Sequence, residues 1–264
     1  MPLVTTSPGI DLHFSDLNPA GSPAVTLLHG LGANGESWAF QVPELISHGY
    51  RILVPDLRGF GKSSYTGRSH SIWDMATDVI AMLDSVALQG SYIVGISMGG
   101  AIALQLAYDY PDRVLRLVLV NTFARLRPRT LKQFIYFASR LALLYSLGLS
   151  AQASFVTKRL FPYPGQAHLR QALMNQILQA NPYGYRSTIR ALARFNLMEQ
   201  LKEIKCRTLV ITGEKDRTVT PDIQSFLAEN IPGARQVIIA GAGHGVSGEK
   251  PGDFNRELIR FLKD

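Results

Sequence analysis

A serine, an aspartate and a histidine stand in three separate segments of the chain, where they could together perform acyl transfer. Ser97 is the centre of a Gly-x-Ser-x-Gly segment, Asp216 follows an apolar run, and His244 stands in a glycine-rich segment near the C-terminus. A serine hydroxyl is a poor nucleophile at neutral pH, so it needs an imidazole to accept its proton. That imidazole in turn needs a carboxylate to orient it and to stabilise its charged form. The chain order serine, aspartate, histidine therefore predicts a catalytic triad.

The Gly-x-Ser-x-Gly segment predicts a sharp turn from a buried strand into a helix. Apolar residues precede it, and small apolar residues at helical spacing follow it. Such a turn forces Ser97 into a strained conformation with positive φ, and a side chain at Gly95 or Gly99 would collide with the strand or the helix. The backbone N–H of Met98 then lies at the helix N-terminus, where an unpaired donor favours an oxyanion. Met98 is therefore predicted as one donor of an oxyanion hole.

The carboxylate partner is predicted from its position between strands. Asp216 follows the strand next before the one that leads to His244, with Glu214 and Asp222 as nearby alternatives. After the preceding predicted strand, residues 121–122 are asparagine and threonine, so the usual alternative position for the acid holds no carboxylate.

The six histidines are separated by their places in the predicted topology. Only His244 stands in a glycine-rich loop after the last strand. We interpret the others as structural or solvated residues: His13 within a strand, His29 as an organiser of the loop that it precedes, His48 at a helix end, and His70 and His168 in polar loop segments.

A second glycine-rich loop, residues 29–35, leaves an early buried strand. Loops at the carboxyl ends of central strands are where open α/β sheets bind ligands. The N–H of Leu31 is the predicted second oxyanion donor. Asp56 and Arg58, two residues apart on the next loop, are interpreted as holding the shape of that loop by pairing or by bonding to backbone.

Apolar runs and helical periodicities alternate through most of the chain. This alternation predicts a parallel sheet with right-handed crossovers. The predicted strands are Ile10–Phe14, Ala24–His29, Arg51–Pro55, Tyr92–Ile96, Val114–Val120, Arg207–Gly213 and Gln236–Ala240, and the predicted helices include Ser37–Ser47, Ile72–Val86 and Pro251–Leu262.

Between the fifth and sixth of these strands the alternation stops, and every predicted element is helical. We interpret residues 122–203 as a helical cap inserted into a core of residues 1–121 and 204–264. Residues 122–204 carry a net charge of +10, whereas the rest of the chain carries −3. Three explanations stay open: a solvated surface, recruitment of anionic substrates, or contact of the apolar stretch 134–149 and the basic helices with a lipid surface.

Length and composition set further limits on function. The chain has 264 residues, of which 46% are hydrophobic and 18% charged, as in one soluble α/β domain with an insertion. The apolar stretch 134–149 is too short to cross a bilayer. The N-terminus lacks the pattern of a signal peptide, so we expect a cytoplasmic protein. The single cysteine, Cys206, excludes internal disulfides and is expected to be a small buried residue. We expect a monomer or homodimer that binds no nucleic acid.

These segments together resemble the α/β-hydrolase-fold serine hydrolases. The resemblance rests on five motifs that occur in the family's order: His-Gly-Leu-Gly from 29, Asp-Leu-Arg-Gly-Phe-Gly-Lys-Ser from 56, Gly-Ile-Ser-Met-Gly-Gly from 95, Gly-Glu-Lys-Asp from 213 and Gly-Ala-Gly-His from 241. It implies a mostly parallel, eight-stranded sheet flanked by helices, with Ser97, Asp216 and His244 as triad. Across the cap the similarity is weak.

Within that family the chain is similar to carboxylesterases, enol-lactone hydrolases and carbon–carbon bond hydrolases. Dehalogenase and epoxide-hydrolase relatives need an aspartate where this chain has Ser97. We therefore predict a carboxylesterase for small to medium acyl chains, with a lactone or carbon–carbon bond hydrolase as the alternative. A lipase, a thioesterase or a ligand receptor without turnover fits less well. The predicted substrate is a small ester or lactone, and no metal or organic cofactor is expected.

Overall fold

A computed structural model describes residues 2–7, 9–128 and 130–264 of the chain. Eight strands form one sheet in the order β1-β2-β4-β3-β5-β6-β7-β8, in which β1 and β2 run antiparallel to their neighbours and the other pairs are parallel. The strands are β1 Leu3–Ser7, β2 Ile10–Leu17, β3 Ala24–Leu28, β4 Arg51–Pro55, β5 Ser91–Ile96, β6 Val114–Val120, β7 Arg207–Gly213 and β8 Arg235–Ile239. The mostly parallel, eight-stranded sheet that the family resemblance implies is confirmed.

Helices cover both faces of this sheet. They are α1 Val42–Ser47, α2 Ile72–Ser85, α3 Met98–Asp109, α4 Leu131–Ser146, α5 Gly148–Leu160, α6 Ala167–Gln179, α7 Pro182–Arg194, α8 Pro221–Asn230, α9 Val246–Glu249 and α10 Pro251–Lys263. The helices α2, α3 and α8 pack on one face of the sheet, and α1 and α10 pack on the other. The central strand β3 is buried over its whole length, as expected for a strand covered on both faces.

The structure departs from the predicted elements in a few places. The predicted helix over 37–47 is broken, because Gly35–Trp38 forms a 3₁₀ turn and α1 begins only at Val42, with a proline in its first turn. The second strand continues to Leu17, where it pairs with β4. The edge strand β1 and the helix α8 were not among the predicted elements.

The helices α4 to α7 all lie between β6 and β7, and we call residues 121–206 the helical insertion. Its helices reach the loop after β3: a Cβ atom built on Gly32 would come within 2.7 Å of the Ile177 side chain and 3.1 Å of Tyr185. Both of these side chains are fully buried. The insertion therefore packs directly over the carboxyl edge of the sheet, while its standing as a separate cap domain stays a prediction.

One side of α4 faces away from the rest of the molecule. Its exposed large apolar side chains are Leu131, Phe134, Ile135, Leu141 and Tyr145. Among the described residues, no helix combines the length and apolarity that a membrane crossing requires. Contact of this side with a lipid surface stays a prediction.

Candidate active site

The turn between β5 and α3 has the strained geometry that its glycines predict. Ser97 has φ of +53°, and its N–H donates to the Val120 carbonyl at 2.9 Å. A Cβ atom on Gly95 would overlap the carbonyl of Gly99, and one on Gly99 would overlap the carbonyl of Leu28. Only glycine can therefore stand on either side of the serine without moving the backbone.

A hydroxyl that the sequence did not single out for this role also holds the turn. Oγ1 of Thr122 donates to the carbonyl oxygen of Ser97 at 2.6 Å. Thr122 is fully buried, and a Cβ atom on Gly100 would overlap its side chain. The segment after β6 thus supports the serine turn from the side.

The structure brings Asp216 and His244 together. Nδ1 of His244 lies 2.7 Å from Oδ2 of Asp216, whose side chain is completely buried. The other oxygen, Oδ1, accepts from the backbone N–H of Thr218 at 2.7 Å and of Val219 at 3.0 Å. A carboxylate that receives these N–H donors is oriented with one oxygen left for the imidazole, which must carry its proton on Nδ1 and keeps Nε2 free as an acceptor.

The two alternative acids do not occupy this position. Glu214 is exposed, and its Oε2 accepts from the N–H of Gly241 at 2.8 Å. Asp222 is an exposed residue in the first turn of α8. The structure therefore supports Asp216 over both alternatives as the partner of the imidazole.

Asn121 connects the ends of three strands beneath the site. It follows β6 with φ of +44°, and its Oδ1 accepts from the N–H of Gly213 at 2.8 Å. Its Nδ2 donates to the carbonyls of Gly243 at 2.9 Å and His244 at 2.7 Å. Both of its amide N–H donors and its amide oxygen thus bond to the segments that carry Asp216 and His244.

Glu249 is a second residue that the sequence analysis missed. Its Oε2 accepts from the N–H of Gly243 at 3.0 Å and its Oε1 from the N–H of Gly245 at 2.9 Å, so it spans the residues on both sides of His244. Burial raises the pKa of Glu249, and those N–H donors and the nearby His244 act in the opposite direction. Nε2 of Gln166, in the helical insertion, donates to the same carboxylate at 2.8 Å.

The glycine-rich loop after β3 passes over the serine turn. A Cβ atom on Gly30 would lie 3.7 Å from Cβ of Ser97, and Leu31 follows it directly. Met98 is the first residue of α3, so its N–H has no acceptor within the helix. Leu31 lines the same cavity as Ser97, and Met98 follows Ser97 directly, while the role of both N–H groups as oxyanion donors stays a prediction.

His29 organises this loop, as predicted. Its Nδ1 donates to the Gly30 carbonyl at 2.8 Å, and its Nε2 accepts from the Leu57 N–H at 2.9 Å. The imidazole is completely buried, and burial lowers its pKa. It is thus a neutral connector between the loops after β3 and β4.

Asp56 and Arg58 hold loop structure but do not pair with each other. Asp56 accepts from the N–H groups of Gly35 at 2.8 Å and Lys62 at 2.9 Å. Arg58 forms a buried two-point ion pair with Asp78, with N–O distances of 2.5 and 2.7 Å. The interpretation of both residues as structural is confirmed.

The remaining histidines and the cysteine lie apart from the serine turn, with one exception. His168 is exposed on α6 and lines the cavity described below, instead of standing in a polar loop. Cys206 is only half-buried, instead of buried as expected, and burial raises its pKa to about 11, so it is a protonated thiol at neutral pH. Among the described residues, no group of histidine, cysteine and acidic side chains could hold a metal ion.

Ser97 and His244 line one cavity of about 350 Å³ between the core and the helical insertion. This volume lies within the range of roughly 300–1,000 Å³ that is usual for small-molecule sites. Gly30 and Leu31 contribute to its floor together with the serine turn, and α4, α5 and α6 contribute apolar side chains. The cavity places a small molecule against the serine and the imidazole at once.

Comparison with known proteins places the chain in a family. The family model for the alpha/beta hydrolase fold matches residues 23–251. The chain belongs to the α/β hydrolase family. This α/β hydrolase is 33% identical, over 92% of its length and 93% of the relative's, to a Caulobacter sp. (strain K31) protein named "Putative carbamate hydrolase RutD".

Solved structures show the same relationship. The enol-lactonase of Burkholderia xenovorans LB400 matches this α/β hydrolase with a TM-score of 0.91 and 27% identity, over 100% of both chains. The esterase EaEST of Exiguobacterium antarcticum matches with a TM-score of 0.89 and 25% identity, over 99% of both chains. The family and these relatives support hydrolysis as the activity of this α/β hydrolase.

Proposed function

We propose that this protein is a serine hydrolase that cleaves carboxylic esters through an acyl-enzyme on Ser97. The observation that carries the proposal is the 2.7 Å hydrogen bond between Asp216 and His244 in a cavity that also exposes the strained Ser97 turn. Nucleophile, base and orienting acid are the three groups that this chemistry requires.

In the first step Oγ of Ser97 attacks the ester carbonyl carbon while Nε2 of His244 takes the hydroxyl proton. The carbonyl oxygen becomes an oxyanion and accepts hydrogen bonds from the N–H groups of Leu31 and Met98. Each such donor contributes about 3 kcal/mol of transition-state stabilisation in comparable sites. The C–O bond then breaks, and the alcohol leaves with the proton from His244.

In the second step water attacks the acyl-enzyme. His244 accepts a proton from that water, and the same N–H groups bind the second oxyanion. The Ser97–acyl bond breaks, the proton returns to Oγ, and the acid is released. Throughout, Asp216 holds the proton on Nδ1 of His244, and loss of its charge in other triads reduces kcat by about 10⁴-fold.

A lactone is the alternative substrate that the comparisons favour, because the chain matches an enol-lactonase over its full length. A lactone is a cyclic ester, so the same steps apply and the alcohol stays tethered to the acid. The relatives named for carbamate hydrolysis add a third carbonyl substrate that the same nucleophile could attack. A carbon–carbon bond hydrolase would use the same triad.

The test is hydrolysis of p-nitrophenyl esters from acetate to palmitate by the wild type and Ser97→Ala, with a lactone and an aryl carbamate in parallel. We expect Ser97→Ala to reduce kcat/KM at least 10³-fold, because it removes the nucleophile and leaves the fold intact. A fluorophosphonate probe should label the wild type at Ser97 and leave the variant unlabelled.

Full ester turnover by Ser97→Ala would contradict the proposal, as would labelling at another residue. If the probe labels Ser97 but the enzyme turns over only the lactone or only the carbamate, that compound replaces the carboxylic ester as the proposed substrate. Thr122→Val serves as a matched control, because it weakens the turn without removing the nucleophile and should retain labelling.

A further inference from the structure

Arg140 is a cation on α4 that lines the cavity shared by Ser97 and His244. It is partly buried, and its Nη2 lies 3.4 Å from the hydroxyl of Tyr185. The Gln152 amide is oriented so that its oxygen accepts from Nε of Arg140 at 3.0 Å and its nitrogen donates to the Arg140 carbonyl at 2.9 Å. A guanidinium has five N–H donors, so these two contacts leave several of its N–H groups without an acceptor.

No carboxylate pairs with Arg140 among the described residues. The ion pairs among the described residues involve other arginines or histidines. Glu36, an acidic residue that also lines the cavity, is exposed to solvent. Burial alone lowers the pKa of Arg140, but the neighbouring Tyr136 and Tyr185 outweigh it and the pKa is raised. The raised pKa keeps Arg140 a cation at the cavity wall, and no described carboxylate neutralises its charge.

Tyr136 is a second unused donor at the same wall of the cavity. It is 6% exposed and lines the cavity, and its hydroxyl oxygen lies beside the Arg140 guanidinium, while its O–H donates to none of the described residues. The guanidinium of Arg159 lies 4.0 Å from its ring centroid and that of Arg140 lies 5.7 Å away. Buried polar groups are normally paired, so a tyrosine O–H with no acceptor, beside a guanidinium with no carboxylate partner, points to an acceptor bound in the cavity.

We propose that Arg140 and Tyr136 bind a free carboxylate on the substrate, so that the enzyme acts on esters or lactones that carry a second, ionised acid group. The inference rests on the proposed function and names its substrate class. The planar guanidinium presents two parallel N–H groups to a carboxylate, and the Tyr136 hydroxyl donates a third bond. Arg140 is the guanidinium that lines the cavity, and the apolar cavity walls would cover the carbon chain between the two acid groups.

The test compares monoethyl adipate with ethyl hexanoate, which has the same acyl length but a methyl group in place of the free carboxylate. Ethanol release is measured for the wild type, Arg140→Met, Tyr136→Phe and Lys132→Met. Lys132 is the matched control, because it lies on the same helix, is exposed, and does not line the cavity.

We expect Arg140→Met to reduce kcat/KM for monoethyl adipate by about 10- to 100-fold, the size of a lost charged hydrogen bond. Ethyl hexanoate should change less than threefold in the same variant, which also shows that the variant is folded. Tyr136→Phe should lose about fivefold on the half-ester alone. Lys132→Met should leave the ratio of the two substrates unchanged.

Equal losses on both substrates would give Arg140 a purely structural role and overturn the proposal. An effect of Lys132→Met as large as that of Arg140→Met would replace the site by general attraction to the basic insertion. Ser97→Ala separates the two proposals: if it turns over both esters, the proposed function fails, whereas abolished turnover with an unselective Arg140→Met variant removes only the carboxylate site.

Discussion

At the scale of single residues, Asn121 shows how much one side chain can order. Its amide makes three hydrogen bonds to backbone groups of residues 213, 243 and 244, and it is fully buried. An aspartate has the same shape but no amide donor. Its carboxylate would therefore face two carbonyl oxygens at the distances where Asn121 now donates.

We predict that Asn121→Asp lowers the free energy of unfolding by about 2–4 kcal/mol, through two lost hydrogen bonds and a buried charge against carbonyl groups. It should also reduce kcat at least tenfold, because the carbonyl of His244 is one of those groups. Urea unfolding and ester kinetics measure both effects. The control is Asn18→Asp, which also has positive φ, with one donor on the Tyr50 carbonyl and a position far from the site. Equal small effects of the two variants would contradict the prediction.

At the scale of elements, the loop that carries His244 is held by α9 on one side and by the insertion on the other. Glu249 at the end of α9 accepts from the N–H groups on both sides of the histidine, and Gln166 joins the insertion to that carboxylate. A Cβ atom on Gly245 would lie within 2.6 Å of the Phe161 ring, so the insertion also packs on the loop itself. A displacement of the insertion would therefore change the position of the His244 imidazole.

We predict that Glu249→Gln reduces kcat about tenfold, because the amide NH₂ would oppose one of the two backbone N–H donors that hold the residues beside His244. The kinetics of ester hydrolysis measure the loss. Glu214→Gln is the matched control, since this exposed carboxylate bonds to Gly241 in the same loop, and it should change kcat less than about twofold. Equal effects of the two variants would contradict the prediction.

At the scale of the whole molecule, His70 fastens the insertion to the core. Its Nε2 bonds to Oγ1 of Thr188 on α7 at 2.9 Å, and its own N–H donates to Oγ of Ser187 at 3.1 Å. Burial, together with the positive charges of Arg58 and Arg190 and against the opposing charge of Asp74, lowers the pKa of His70 from 6.5 to about 4. The neutral imidazole is therefore the form that the folded protein holds.

We predict that this contact makes the protein lose stability in mild acid. Because the folded-state pKa lies below the unfolded value, the stabilisation is complete above pH 6.5 and is lost as the pH falls towards 4. Between pH 7 and 4.5 the loss from His70 amounts to roughly 2–3 kcal/mol. Urea unfolding at both pH values measures the effect. Between them, His70→Gln should lose less unfolding free energy than the wild type, and the difference should equal the contribution of His70. Identical pH dependences for wild type and variant would show that His70 contributes nothing to it.

Much of the fold and of the candidate site follows from signals that are local in the sequence. The strands Val114–Val120 and Arg207–Gly213 were predicted with their observed bounds, because an unbroken apolar run is typical of a strand buried on both faces. The tight turn at Ser97 follows from its two glycines, since no other residue fits beside it. The helix predicted over 37–47 was wrong because apolar periodicity does not register the 3₁₀ turn that Asn34 caps.

The residue types at the carboxyl ends of the strands can be predicted from the sequence, because the spacing of strands and glycines orders the loops along one edge of the sheet. Which of these side chains meet depends on how the chain packs. The contacts of Asn121 with residues 213 and 243, of Glu249 with Gln166, and of Arg140 with the shared cavity join segments far apart in the chain. Such contacts arise from packing in three dimensions, and no local pattern of residues records them.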